Sequence, residues 1–330
     1  MKLFALALYS LCLASSTLVA AQMRNLIIDT DAGSDDLIAI AFLLARADVN
    51  IEAITIANGL AHVPSGAKNV LRLLELAGRT SIPVYLGRDT PLNGSNEFPE
   101  LWRMMADELP HVEMPQTEKI PDTLSALAFL RSRLANPAKP VAILALGPLT
   151  NIAEVLSTAP NSVLAIEDLV VMGGAVRVPG NLAAGGSSYS DNRTAEWNIF
   201  VDPTAARKVF DTVTKLRIVP LDASNTVPID NAFLLAVKKS AKSKLGLFSA
   251  QVLDSNRALI NQRIFYAWDS LAAVAIINPA VLKISSVALN IRRDVPEEGR
   301  TSESDSGRSL RVALSADPVL FRRVFLDALR

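Results

Sequence analysis

Residues 25–40 read Asn-Leu-Ile-Ile-Asp-Thr-Asp-Ala-Gly-Ser-Asp-Asp-Leu-Ile-Ala-Ile, three apolar residues running into Asp29, Asp31, Asp35 and Asp36 before an apolar helical pattern begins. An apolar run, a short polar turn and a helix-period stretch together predict a buried strand feeding a helix. A strand buried on both faces belongs to a parallel sheet covered by helices. In such a sheet the acidic turn lies past the carboxyl end of the strand, the edge where α/β folds bind their ligands. Four carboxylates within eight residues repel one another, and a hard cation such as Ca²⁺ or Mg²⁺ relieves that repulsion through oxygen ligands. Charge alone fits a solvated turn with an Asp helix cap equally well. The position directly after the first apolar strand is what favours a ligand-holding turn.

The rest of the chain repeats the alternation. The pattern predicts further strands at 49–57, 82–86, 141–146, 168–172, 216–221, 283–290 and 309–313. Helices are expected at 65–76, 123–134, after Thr150, after Asp202-Pro203 with Pro at the first helical position, at 269–277 and at 317–329. Residues 87–121 read as one irregular segment rich in Pro, Asn and Glu with Trp102 in its middle, and 179–195 as a second loop. The alternation predicts an α/β fold with an open, mostly parallel sheet and helices on both faces. With no internal repeat and no linker, residues 22–330 are expected to form one domain.

Residues 1–21 carry Lys2, an apolar run over 3–13 and the small residues Val19-Ala20-Ala21, the pattern of a secretory signal peptide. Ser15-Ser16-Thr17 break the run too early for a membrane span. The mature protein is thus expected outside the cytoplasm, in the medium or a periplasm, with no membrane attachment. The single cysteine, Cys12, lies inside this leader, which excludes a cysteine nucleophile, a zinc–thiolate site and a disulfide in the mature chain. The formal charge is zero, so no basic face for nucleic acid is expected.

The polar residues that follow strands are Asp31, Asp35 and Asp36, then Asn58, then Leu146-Gly147, then Asn181, Glu196 and Asn198. On one sheet edge they make an acidic, amide-rich cleft suited to a polyhydroxylated ligand such as a sugar. No Gly-x-Ser-x-Gly elbow, dinucleotide fingerprint or phosphate-binding loop is present. His62 and His111 stand alone in loop-like sequence. An Asp-x-Asp phosphatase is disfavoured because no clear phosphate-binding lysine accompanies Asp29 and Asp31.

The stretch from Asp29 to Asp36 resembles the opening motif of the nucleoside hydrolases, DxDPGxDD, with Ala32 where the family usually has Pro. The resemblance continues through Gly147-Pro148-Leu149-Thr150-Asn151, Met172-Gly173-Gly174-Ala175-Val176, Gly180-Asn181, Thr194-Ala195-Glu196-Trp197-Asn198, Asp202-Pro203 and Ala267-Trp268-Asp269. It implies a calcium-dependent N-ribohydrolase with Ca²⁺ held by Asp31, Asp36, the carbonyl of Leu146 and Asp269. Asp31 is then the base that activates water, Asp35 holds the 2′-hydroxyl, and Asn181, Glu196 and Asn198 bind the other ribose hydroxyls. Trp268 stands where many members have a general-acid His. That change, together with Phe98-Pro99-Glu100-Leu101-Trp102, resembles the purine-specific branch, in which two tryptophans (here Trp268 and Trp102) stack on the base. The resemblance further implies purine ribonucleosides as substrates and a homodimer or homotetramer. Two alternatives stay open at this point: a hydrolase of broader base preference, and a secreted nucleoside- or Ca²⁺-binding protein without turnover.

Overall fold

Runs of Val, Ile and Leu alternate with helix-period stretches, and the chain winds them into a single layered sheet in that order. The computed structural model describes residues 23–185 and 190–330; the expected leader over 1–21, with Cys12, lies outside them. The elements are β1 (Arg24–Thr30), α1 (Ser34–Leu44), β2 (Val49–Ile56), α2 (Val63–Leu76), β3 (Val84–Leu86), α3 (Glu100–Glu108), α4 (Ala126–Arg133), β4 (Val141–Ala145), α5 (Thr150–Thr158), β5 (Ile166–Met172) and α6 (Trp197–Val201). They continue as α7 (Pro203–Thr212), β6 (Leu216–Val219), α8 (Leu221–Ser224), α9 (Asn231–Ser240), α10 (Lys244–Ser255), α11 (Arg257–Asn261), α12 (Trp268–Ile277), β7 (Leu282–Ile291), β8 (Thr301–Glu303), β9 (Arg308–Ala316) and α13 (Pro318–Ala328).

The nine strands lie in the order β3-β2-β1-β4-β5-β6-β9-β7-β8. Pairing is parallel from β3 through β9, and β7 runs antiparallel to both β9 and β8. The chain builds outward from β1 to β3, then returns to lay β4 on the other side of β1. The order therefore reverses between β1 and β4, which opens a crevice at their carboxyl ends. Alternation along each strand splits the core. Leu26, Ile28, Leu144 and Val170 face the layer containing α1 and α12. Ile27, Ile143 and Val171 face the layer containing α5 and α7.

Helix α1 is buried on every side from Asp36 to Leu44. It packs against α12, which is buried from Asp269 to Ile276. Both helices begin at the carboxyl edge of the sheet, so their amino ends converge beside β1.

The structure departs from the sequence expectation in several places, the unexpected α6 and β8 among them. Residues 87–121 are not irregular throughout, since they contain α3, and Trp102 stands in its first turn. Four helices, α8 to α11, occupy 221–261, where no element was expected. The strand expected over 216–221 ends at Val219, because Pro220 has no N–H to continue the ladder and instead precedes α8. No helix among the described residues is long and apolar enough to cross a membrane.

Candidate active site

Asp29 is the penultimate residue of β1 and pairs in register with Thr55 of β2 and Ala145 of β4. Its Oδ1 accepts from Thr55 Oγ1 at 2.5 Å and from Asn151 Nδ2 at 2.8 Å. The Gly-Pro-Leu-Thr-Asn motif thus ties the start of α5 back to β1. Burial raises the Asp29 pKa to about 6, and its Oδ2 has no hydrogen-bond partner. Two residues on, Asp31 Oδ2 accepts the Leu60 N–H at 2.7 Å, and its carbonyl accepts the Ala61 N–H at 3.1 Å. The loop after β2 grips Asp31 only because residue 59 is Gly: a Cβ there would stand 2.1 Å from Asp31 Oδ2.

Asp35 and Asp36 lie in the first turn of α1, and Asp269 in the first turn of α12. Ligand oxygens of these three carboxylates come within 4.8 Å of one another. Asp36 is fixed by the Thr30 hydroxyl at Oδ1 and by the Gly33 N–H at Oδ2, 3.1 Å away. Asp31 also faces Asp36 closely enough to share a hydrogen bond with it. Burial raises the pKa of all four, most strongly for Asp31 and Asp269 and to about 7 for Asp35, and their mutual repulsion adds to the effect for Asp31, Asp35 and Asp269. Two helix amino ends favour negative charge here, but among the described residues no Lys or Arg pairs with any of these carboxylates. Converging buried oxygens without a cationic side chain form the donor set a hard divalent cation requires. Of the expected ligands, Asp36 and Asp269 belong to the closest cluster. Asp35 completes it, and Asp31 joins from the side of Asp36.

The remaining polar residues are arranged by backbone groups. Glu196 caps α6: its carboxylate accepts from the N–H groups of Asn198 at 2.9 Å, Ile199 at 3.2 Å and Gly174 at 2.9 Å. It is buried, and burial raises its pKa. Sequence reasoning gave it to ribose, but in the fold it also locks the Gly173-Gly174 turn onto α6. Asn198 Nδ2 donates to the Leu146 carbonyl at 2.7 Å and the Met172 carbonyl at 3.2 Å. Asn181 Oδ1 accepts the Trp197 N–H at 3.1 Å. These partners dictate both amide orientations. Asn198 is left with Oδ1, an acceptor, and Asn181 with Nδ2, a donor, for anything bound in the crevice. The Leu146 carbonyl keeps a second lone pair.

The two expected stacking residues sit in different aromatic groups. Trp268 opens α12 directly before Asp269 and meets Phe265 and Tyr266 at ring-centroid distances of 5.2 and 6.0 Å. Its buried Nε1 has no hydrogen-bond partner. Trp102 packs edge-on against Trp197 at 5.6 Å, and Trp197 stacks on Phe98 at 4.7 Å. Leu60, whose N–H holds Asp31, is packed against by both hydrophobic groups, and so connects them.

Two features were not assigned from sequence. Asn58 is 3% exposed and its Oδ1 has no partner, which marks a buried amide awaiting an outside group. Ala32 adopts φ +57°, a left-handed conformation uncommon for alanine. Its N–H donates to Thr30 Oγ1 at 3.0 Å, the same hydroxyl that bonds Asp36.

A sequence profile described as "Inosine-uridine preferring nucleoside hydrolase" matches residues 26–323. The chain belongs to this nucleoside hydrolase family, whose members are hydrolases acting on N-glycosyl bonds. Among curated relatives, the pyrimidine-specific ribonucleoside hydrolase RihA of Shewanella sp. (strain MR-7) is 35% identical over 213 residues, 62% of this chain and 61% of the relative. The chain thus matches about three fifths of that relative's length. Among solved structures, the plant nucleoside hydrolase PpNRh1 superposes with a TM-score of 0.82 at 26% identity, covering 93% of this chain and 99% of that one. The purine-preferring ribonucleoside hydrolase from Gardnerella vaginalis gives 0.81 at 24% identity over 93% of this chain and 98% of its own, a likeness of fold.

Proposed function

We propose that the protein is a secreted, Ca²⁺-dependent hydrolase that cleaves purine ribonucleosides to ribose and the free base. The observation that carries the reading is the convergence of Asp31, Asp35, Asp36 and Asp269 at the β1/β4 crevice without a cationic partner. When bound there, the ion supplies Lewis-acid polarisation of water and of the ribose diol. Asp31, Asp36, the Leu146 carbonyl and Asp269, with Asp35 beside them, are the residues to hold it.

Asp31 receives the proton of the attacking water. Leu60 fixes its Oδ2, and burial beside Asp36 raises its proton affinity toward that of a general base. Water oxygen bonds to C1′ as the N-glycosidic bond breaks, and the base leaves with the bonding electron pair. Asp35 accepts from the 2′-hydroxyl. Asn198 Oδ1 accepts from a further ribose hydroxyl and Asn181 Nδ2 donates to one, the roles their backbone partners leave open. The buried negative charge of Glu196 favours the positive charge that develops on the sugar. Trp268 stacks on the departing purine, and Trp102 approaches from α3. The leader over 1–21, and assembly into a homodimer or homotetramer, belong to the same reading.

A pyrimidine preference is the competing reading, favoured by the RihA relative. Against it, this chain has Trp268 rather than a general acid directly before Asp269, and a pyrimidine offers no N7 to protonate. Ribose release from inosine, adenosine, guanosine, uridine and cytidine, with and without a chelator, separates the two. Release from purines alone, abolished by chelation and restored by Ca²⁺, supports the proposal. Comparable release from uridine removes Trp268 as the source of preference, and release that ignores chelation removes the ion.

A further inference from the structure

Helix α3 is held against the loop after β2 by a histidine outside the ligand-bearing residues. His62 precedes α2, two residues beyond the Leu60 N–H that grips Asp31. Its backbone N–H donates to Asp107 Oδ1 at 2.9 Å, and its ring Nδ1 meets Asp107 Oδ2 at 2.7 Å. A carboxylate oxygen accepts, so Nδ1 carries the hydrogen and Nε2 is the open ring nitrogen. Nε2 lies 3.7 Å from Glu100 Oε2. Asp107 falls in the last turn of α3, the helix on which Trp102 stands, so the imidazole is bonded to that helix at its carboxyl end. Asn69 of α2 adds a fastening at the carboxyl end, donating to the carbonyls of Ala106 at 3.1 Å and Asp107 at 2.9 Å. Few apolar contacts do this work: α3 buries Arg103 and Ala106 while Leu101, Met104 and Met105 are exposed.

We propose that His62 is a positioning residue for the base side of the crevice. Through Asp107 it ties α3, and with it Trp102, to the same short loop that fixes Asp31. The distance between the stacking ring and the proton acceptor is thereby set by five consecutive residues, from Asn58 to His62. This inference rests on the purine reading above. It predicts that loosening the latch weakens contacts to the base and leaves contacts to the sugar alone, because Asp35, Asn181 and Asn198 are held by other elements.

The test compares the parent, His62→Ala and His62→Asn, whose amide nitrogen can occupy the place of Nδ1. Titration calorimetry measures hypoxanthine and ribose separately, and hydrogen exchange follows the amides of 100–108. Loss of a charge-assisted bond changes an equilibrium by roughly tenfold or more. His62→Ala is therefore expected to weaken hypoxanthine about tenfold, leave ribose unchanged and speed exchange in α3 by a similar factor, with His62→Asn restoring most of each. Unchanged hypoxanthine affinity and exchange in His62→Ala overturn the latch, and so does a parallel loss for both ligands. A parent that binds ribose but no hypoxanthine overturns the purine reading instead, and the exchange data then decide the latch by themselves.

Discussion

Asp29→Asn tests the electrostatics of the crevice without touching the proposed ligands. Asp29 is buried, has a pKa near 6 against an ordinary 3.8, and leaves Oδ2 unpartnered. Between these values the native state holds a proton that the unfolded chain has released, so stability falls as pH rises through this window. The full penalty above pH 6 is the shift of about two units, on the order of 3 kcal/mol. Part is already present at pH 4.5, and roughly 2 kcal/mol develops between pH 4.5 and 8. An asparagine keeps the acceptor for Thr55 and Asn151 but does not titrate. Whatever new contact its Nδ2 makes is common to both pH values and cancels in the comparison. In chelator, the melting temperature of Asp29→Asn relative to the parent is expected to rise by roughly 4 °C from pH 4.5 to 8. Calorimetric scans of both proteins across that range measure it. Melting curves that stay parallel at every pH would show that Asp29 is not the proton-holding group its burial makes it.

Asp31→Asn keeps the Leu60 contact and removes the proton acceptor, so ribose release from inosine should fall by roughly 10²–10⁴ in kcat, with KM much less affected. Trp268→Phe should slow inosine far more than nitrophenyl riboside, whose leaving group needs no proton; equal losses would reduce Trp268 to packing. Asn198→Asp sets a carboxylate against the carbonyls of Leu146 and Met172 in place of a donor. It should destabilise the fold by about 2–4 kcal/mol in denaturant titration, whereas an unchanged midpoint would mean those bonds are dispensable.

The legible parts of the chain were those where local pattern and tertiary role agree. The run 25–40 announced both β1 and the acidic crevice because β1 is buried from Leu26 and α1 from Asp36, and their apolar residues are continuous. Helix α3 is the harder part: Leu101, Trp102, Met105 and Ala106 recur at helical spacing, but over nine residues inside a segment rich in Pro, Asn and Glu, and the fold leaves Leu101, Met104 and Met105 exposed. Motif residues were recognised without their tasks being separable. Asn151 serves Asp29, and Thr150 donates to Asp202 at 2.8 Å while Asp202 caps α7 and accepts from Leu92. These tie the starts of α5 and α7 to β1 and to the loop at Leu92, although in sequence they look like ligand-binding groups. Spacing likewise could not reveal that backbone partners settle which end of Asn181 and Asn198 remains open, since those partners arrive from the turn after β4, from β5 and from α6.

The backbone of Ala32 bears on how this protein can be engineered. Replacing an unusual residue by the one a family motif carries is a common route to stabilisation, and the motif that residues 29–36 resemble would introduce proline here. Proline cannot reach φ +57° and has no hydrogen to give Thr30. Ala32→Pro would force the turn to rebuild and would free the hydroxyl that orients Asp36. Majority-vote redesign should therefore fail at this position, lowering the melting temperature and weakening binding of the proposed ion together, while Ala32→Gly is tolerated. A library built by averaging relatives would need to leave residue 32 out.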